Sequence, residues 1–268
     1  MSRAHTAADR YGDPAAVLGV HSEVLSLQLA HRSVRRFGPR EVTDDELTAL
    51  IAAAQSAPTS SNLQPWSVVA VRDPDRKARL AALAAGQAFI AQAPLFLVWV
   101  ADLGRASRLA ERANTRAGAV DYLETTVIGF VDTALAAQNA VLAAQSLGLG
   151  SVFVGAIRNR PEEVAAELRL PPHTVAAFGL AVGTPDPAEQ AGVKPRLPQG
   201  AVLHREQYDV AADAHIAAYD ERLSAYNGRF GLSGNWSDRV LERLRGPESM
   251  AGRHRLREVL ERLGLHSR

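Results

Sequence analysis

Four short segments of this sequence gather side chains that can hold an anion or a polar ring. The first is His31-Arg32-Ser33-Val34-Arg35-Arg36-Phe37, with three arginines in five residues at the end of a periodic stretch. Arg32 and Arg35 are spaced to point one way with the Ser33 hydroxyl between them, and guanidinium forks suit phosphate or an electron-rich ring oxygen. The plainer alternative is that cations sit favourably at a helix C-terminus. The second segment is Ser56–Trp66, SAPTSSNLQPW, with consecutive hydroxyls at Thr59, Ser60 and Ser61, amides at Asn62 and Gln64, and two stiffening prolines. A fixed path of neutral donors and acceptors fits a polar heterocycle. A solvated turn is the alternative, and the anchor Pro65-Trp66 argues against it. In the third, Phe153-Val154-Gly155-Ala156-Ile157-Arg158-Asn159, a strand runs into a glycine, where backbone donors are reachable because no side chain intervenes; alone it is also an ordinary strand end. The fourth is Lys194-Pro195-Arg196-Leu197-Pro198. Two cations flank a proline in an extended stretch, so both can converge on one anion. Only Lys77 and Lys194 of the 30 basic residues are lysine, which singles out both.

The elements that must position these segments are legible from periodicity and breakers. Residues 1–22 are polar and Ala-rich and read as a flexible N-terminal arm, ahead of a domain over 23–268. A helix runs from Glu23 to about Arg32. Another starts at Thr43, a capping residue with Glu46 three positions on, and ends before Ala57-Pro58. Ser67–Arg72 reads as a strand and Arg76–Ala85 as a short helix. Leu95–Val100 is continuously apolar and suits a strand buried on both faces. Thr126–Leu147 is a long helix apolar on nearly all sides, hence buried in a core or a subunit interface. Ser151–Val154 and Val175–Val182 supply further strands, and Pro161–Leu170 a helix. The segment of about 211–268 is a helical extension, with helices over Ala211–Tyr226, Trp236–Arg245 and Arg253–Leu263. Helices separating about four strands give an α+β or α/β layer fold with more helix than strand.

Composition removes several function classes. The chain of 268 residues has no cysteine, which excludes disulfides, Cys-ligated metals and a Cys nucleophile. Its net charge of +1 creates no global field toward nucleic acid or membranes. The apolar run near Pro94–Ala101 is far short of the roughly 20 residues of a membrane helix, and the N-terminus lacks the apolar core of a signal peptide. No G-x-G-x-x-G follows a strand and no G-x-x-x-x-G-K-[ST] occurs, so Rossmann and P-loop readings are poor. Residues 236–268 carry eight arginines against five acidic residues with interspersed signs, a solvated helical face rather than a nucleic-acid site.

The order and wording of the segments say more than each alone. HRSVRRF, SAPTSSNLQPW, Gly86-Gln87 followed by Ala91-Gln92-Ala93, DTALAAQNAVLAAQSLGLGSVFVGAIRN and VKPRLP together closely resemble the nitroreductase family. The resemblance is strongest to its oxygen-insensitive NADPH nitroreductases and NADPH-flavin oxidoreductases. It spans about Leu25 to Tyr226, and Trp236-Ser237-Asp238 carries it into the tail.

The resemblance implies an α+β sandwich with a central mixed sheet, a long interface helix at Thr126–Leu147 and an intertwined homodimer, with FMN at the subunit interface. It implies a cytoplasmic enzyme that transfers two electrons by ping-pong turnover from NADPH, or NADH, to a small-molecule acceptor such as a nitroaromatic or quinone. Carried over by position, His31, Arg32, Ser33 and Arg35 hold the FMN phosphate, ribityl chain and pyrimidine side. Thr59, Ser60 and Ser61 come from the partner subunit. Gln87 reaches the ring's polar edge, and Phe153, Val154, Gly155 and Ala156 lie along the isoalloxazine. Lys194 and Arg196 form a cation pair near the ring carbonyl or phosphate. The flavin carries the chemistry, so no catalytic acid or base is assigned; His31 is a flavin contact or structural residue ahead of either. Three departures bear on specificity. Asn62 stands where an aromatic pocket residue is common, making the acceptor pocket more polar. Ala156 replaces a glycine beside the ring. Asn227–Asn235 offers only Arg229 for the 2′-phosphate, with Arg253 in the tail as the next candidate. Alternatives to the oxidoreductase reading are a flavin reductase supplying a monooxygenase and a flavin-binding protein without turnover.

Overall fold

A strand apolar along its whole length needs cover on both faces, and that demand sets the architecture. The computed structural model describes residues 6–266 and 268. In chain order the helices are α1 (Ala7–Tyr11), α2 (Glu23–Leu29), α3 (Asp44–Gln55), α4 (Pro74–Leu83), α5 (Ala88–Gln92), α6 (Gly104–Arg112), α7 (Leu123–Ser146), α8 (Pro161–Leu168), α9 (Ile216–Gly228), α10 (Trp236–Arg243) and α11 (Leu256–Arg262). The strands are β1 (Trp66–Val71), β2 (Leu95–Asp102), β3 (Gly150–Val154) and β4 (Thr174–Gly183). The chain divides into two units, Ser33–Gln190 with Ala251–Arg268, and Met1–Arg32 with Ala191–Met250.

The first unit is built on a sheet of order β1-β2-β4-β3. All eight residues of β2 are buried. Leu95, Leu97 and Trp99 pack with Leu50 of α3 and Ala136, Ala140 and Val141 of α7, whereas Phe96 and Val98 pack with Leu80 of α4, Ile90 of α5 and Val164 of α8. The alternation follows from successive strand side chains pointing to opposite faces. The capping box expected at the start of α3 is present, with Thr43 and Glu46 bonded reciprocally. Lys77 is buried, and its Nζ donates to the Ala93 carbonyl at 2.5 Å just past α5. It is therefore a structural lysine, and burial pushes its ammonium pKa down.

The mixed sheet needs qualification. Every pair of named strands is antiparallel, and among the described residues the parallel contact is one bridge between Ser33 and Ser151 at the edge of β3. Helix α7 is the one described helix long and apolar enough to cross a bilayer by length and composition. It is instead the core helix of this unit, and its buried face includes Asp132 and Thr133. Its outer face exposes Leu123, Val127, Val131 and Leu135 at four-residue spacing.

The second unit takes in α1, α2, α9 and α10. Within it, α1 carries a Thr6–Asp9 capping box, and Arg10 is buried. Helix α2 stops at Leu29 rather than Arg32, because the Leu29 carbonyl accepts from Arg10 Nη2 at 2.8 Å and His31 N turns back to the Gln28 carbonyl. A guanidinium brought from elsewhere in the chain satisfies one of the carbonyls orphaned at a helix end. The expected extension of about 211–268 is also divided: α9 and α10 lie in this unit, and α11 in the other.

Glycine at position 150 lets the Ser33-Val34 segment approach β3. Val34 N donates to the Ser151 carbonyl at 2.9 Å, and a Cβ at Gly150 would lie 2.6 Å from Val34 Cγ2. Gly150→Ala is expected to destabilise the protein by about 1–3 kcal/mol through overpacking. A urea titration should show a lower midpoint at unchanged slope.

Candidate functional site

In the sheet unit, the Ser56–Trp66 loop is fastened to the long helix. Thr59 Oγ1 donates to Asp132 Oδ2 at 2.5 Å, Ser60 N donates to the same oxygen at 3.1 Å, and Gln64 N donates to Thr59 Oγ1 at 2.9 Å. The Thr59 hydroxyl is thus engaged inside the loop. Ser61, Asn62 and Gln64 all have positive φ. Three non-glycine residues held left-handed within four positions store strain, which persists only where surrounding bonds over-determine the backbone. Arg105 Nη1 adds a bond to the Gln64 carbonyl at 2.9 Å, and the Asn62 side chain accepts from Gln64 Nε2 at 3.2 Å. Ser61 and Asn62 are exposed.

At the far edge, Ser33 forms its bridge with Ser151 and Arg35 is exposed. The Glu189 carboxylate accepts from Arg35 N at 2.8 Å and Arg36 N at 2.7 Å, fixing the backbone that carries these cations. Gln87, half-buried, precedes the first residue of α5 and follows Gly86 at φ 69°.

Phe153 is an exposed residue on β3 whose ring meets Phe178 edge-on at 5.3 Å, and Val154 is buried. Gly155 follows. Its φ is not positive, and a Cβ there would meet only Arg158 Nη2 at 3.6 Å and Arg253 Nη1 at 3.8 Å. Neither backbone strain nor crowding therefore calls for glycine, in contrast to Gly150. What glycine provides is an open backbone surface beside two guanidiniums. Arg158 is oriented by donation to the Ala177 carbonyl. Ala156 packs against the core cluster of Val154 and Ile157, so its methyl belongs to the packing of that layer.

In the second unit, Arg10 lies between the two other cationic segments. Its guanidinium donates to the carbonyls of Lys194 at 3.0 Å, Leu29 at 2.8 Å and His31 at 2.5 Å, while its own carbonyl accepts from Arg196 N at 3.0 Å. Burial and the neighbouring Arg196 charge lower its pKa, yet a guanidinium stays protonated. Arg32 Nη1 donates to the Ala191 carbonyl at 2.8 Å, committing one of its five donors. The Arg196 side chain turns back to the Lys194 carbonyl at 3.1 Å. Arg229 lines a cleft of about 460 Å³ with Asp9, Asp13, Pro195, Tyr226 and Phe230. Those carboxylates have partners of their own: Asp9 caps α1, and Asp13 pairs with Arg222 at 2.7 Å. Burial raises the Tyr226 phenol pKa, opposed by the Arg196 and Arg229 charges.

Sequence alone does not single out Arg10, Asp132 or Glu189. Asp132 had a signal, a lone carboxylate in the apolar stretch of α7. Arg10 and Glu189 had none, since each acts on backbone groups distant in sequence. Arg253 of the tail is brought to Gly155, its Nη1 3.8 Å from where a Cβ would stand.

The Nitroreductase family model matches residues 29–184, and the model of the Nitroreductase family, C-terminal domain, matches 194–268. The FMN reductase (NAD(P)H) of Bacillus subtilis is 39% identical over 254 residues, covering 91% of this chain and 98% of that relative. The oxygen-insensitive NADPH nitroreductase of Salmonella typhimurium is 39% identical over 222 residues, covering 82% and 90%. The solved NADPH:FMN oxidoreductase from Vibrio harveyi complexed with NAD+ superposes with a TM-score of 0.83 at 35% identity, covering 92% of this chain and 100% of that one.

Asp132→Ala removes the acceptor of a half-buried hydroxyl and an amide. The expected loss is about 1–3 kcal/mol for each group left unpaired. It should appear as a lower urea midpoint and as faster proteolysis within residues 60–64. Wild-type values for both would show that Asp132 does not hold the loop.

Proposed function

The chain belongs to the nitroreductase family, and from that membership we propose how its residues serve the reaction. It is an FMN-dependent NAD(P)H oxidoreductase. The structural observation that best supports a flavin site here is Gly155, a glycine that leaves a strand end bare between two guanidiniums without backbone or packing cause. Bound FMN supplies the chemistry, accepting two electrons from NAD(P)H and passing them to a small-molecule acceptor.

The protein's part is position and charge. In this reading His31, Arg32, Ser33 and Arg35, with Lys194 and Arg196, neutralise the phosphate and line the pyrimidine side. Charge-assisted contacts of this kind are shorter and stronger than neutral ones. Phe153, Val154, Gly155 and Ala156 form the surface against the ring, Gly155 by exposing its backbone and Ala156 through its own. The Arg158 and Arg253 guanidiniums beside Gly155 favour negative charge developing there. Gln87 bonds the polar edge. Ser60 and Ser61 contribute from the other subunit. Thr59, whose hydroxyl is spoken for by Asp132, acts by shaping that loop. Asn62 makes the acceptor pocket polar.

A homodimer completes this arrangement. The exposed stripe Leu123, Val127, Val131 and Leu135 on α7 is the apolar surface that a second copy would cover. Nitroaromatics and quinones are the proposed acceptors. Free flavin is the second reading, favoured by relatives named for FMN reduction. Purified protein is expected to be yellow, to release one FMN per chain on denaturation, to scatter light as a dimer and to oxidise NADPH with a nitroaromatic or quinone. Bound FMN without NAD(P)H oxidation would favour a storage role, and FAD or no flavin would overturn the site assignment. A panel that includes free FMN separates the two acceptor readings.

Arg229, the cation of its cleft, is proposed to meet the NADPH 2′-phosphate. Arg229→Ala should raise KM for NADPH while sparing NADH, a loss of preference of roughly tenfold or more for a charged contact. The effect should shrink as salt rises, because the residue is exposed. An unchanged NADPH/NADH ratio would transfer the role to Arg253.

A further inference from the structure

Residues 6–28 lie outside both family matches, yet they carry the most heavily bonded arginine of the second unit. Arg10 is buried, and a charge withdrawn from water must be given acceptors. Its acceptors are main-chain carbonyls of two segments far apart in sequence: Leu29 and His31 on one side, Lys194 on the other. The contact runs both ways, because Arg196 N donates to the Arg10 carbonyl at 3.0 Å. The turn that follows is fitted to the same segment. Gly12 is left-handed at φ 60°, and a Cβ there would come within 3.2 Å of Pro195. Asp13 then closes the strap by pairing with Arg222 at 2.7 Å.

We propose that Arg10 is a positioning residue, and that through it the N-terminal strap holds His31–Arg32 and Lys194–Arg196 in one arrangement and so sets how long the protein retains FMN. The inference rests on the reading above that these two segments hold the cofactor. Neither segment is a helix or strand, so each is a loop whose ordering on binding an anion costs conformational entropy. Fixing both beforehand from their main-chain side removes part of that cost. Arg10 acts from the main-chain side of both segments, with three of its five donors committed to their carbonyls.

The test is the rate of FMN release from the full-length holoenzyme, followed by the rise in flavin fluorescence on dilution. The urea midpoint of each variant is measured alongside. Lys194→Ala checks the underlying reading and should release FMN at least tenfold faster. Arg10→Met, which keeps length and removes the donors, should do likewise. Arg10→Lys, with three rotatable donors, should recover part of the retention. Asp13→Asn loosens the strap without altering either cationic segment and should speed release about threefold. If Arg10→Met lowers the urea midpoint but releases FMN at the wild-type rate while Lys194→Ala does not, Arg10 is a stability residue only and the proposal fails. If Lys194→Ala also releases at the wild-type rate, the reading of the site fails with it. Should Arg10→Met not fold, Asp13→Asn decides: faster release supports the strap, and wild-type release overturns it.

Discussion

Covering both faces of β2 is the constraint from which the rest follows. Once Leu95, Leu97 and Trp99 are given to α3 and α7, and Phe96 and Val98 to α4, α5 and α8, no face of the central strand remains for a ligand. What the frame leaves open to a ligand is the ends of strands and the loops beside them. Gly155 follows the last residue of β3, the Ser56–Trp66 loop runs into β1, and Ser33-Val34 is laid along the edge of β3. Such a frame holds loops in place only if they are tied to it by directional bonds.

Those ties are buried or half-buried charged groups directed at main chain, and they share one logic. Asp132 extends from the core helix to accept from Ser60 N and Thr59 Oγ1. Glu189 gathers the amides of Arg35 and Arg36. Lys77 donates to the carbonyl past α5. Arg10 gathers three carbonyls in the other unit. A hydrogen bond with one charged member contributes about 1.5–3 kcal/mol, more than a neutral one, and an ion removed from water is held where its partners are. The surface ion pairs, such as Arg36–Asp186 and Arg79–Glu167, contribute far less to placing anything.

This division explains what the sequence reveals. The layers were legible because they depend on pattern: a continuous apolar run for β2, a capping box for α3, an all-round apolar stretch for α7. The segments holding candidate ligands were legible from their residue types. The ties were not. A carboxylate that bonds two backbone amides looks in sequence like any other acid, as Glu189 does. Arg10 carries no such signal, because the three carbonyls that accept from it lie 19, 21 and 184 residues away. The termination of α2 at Leu29 was missed for the same reason. Its cap is a tertiary contact, whereas the Thr43 cap of α3 is local.

The tail illustrates how an apolar contact can place a charge. Arg253 reaches Gly155 although it opens a segment whose composition is that of a solvated, arginine-rich helix. Among the described residues three ion pairs involve that segment, Arg262–Glu162 at 2.6 Å, Arg255–Glu258 at 3.8 Å and Arg262–Glu258 at 3.9 Å, all exposed and the last internal to the tail. The second lies within the tail and fixes nothing outside it. What anchors α11 is Leu260 and Leu265, buried with Ala101, Leu103 and Val175 at the end of the sheet, together with His173 N bonded to the Leu263 carbonyl at 2.8 Å. Burying two leucine side chains is worth about 1.5–3 kcal/mol each, against 0–1 for an exposed pair. The position of Arg253 beside Gly155 is therefore set by leucines seven and twelve residues further along the chain.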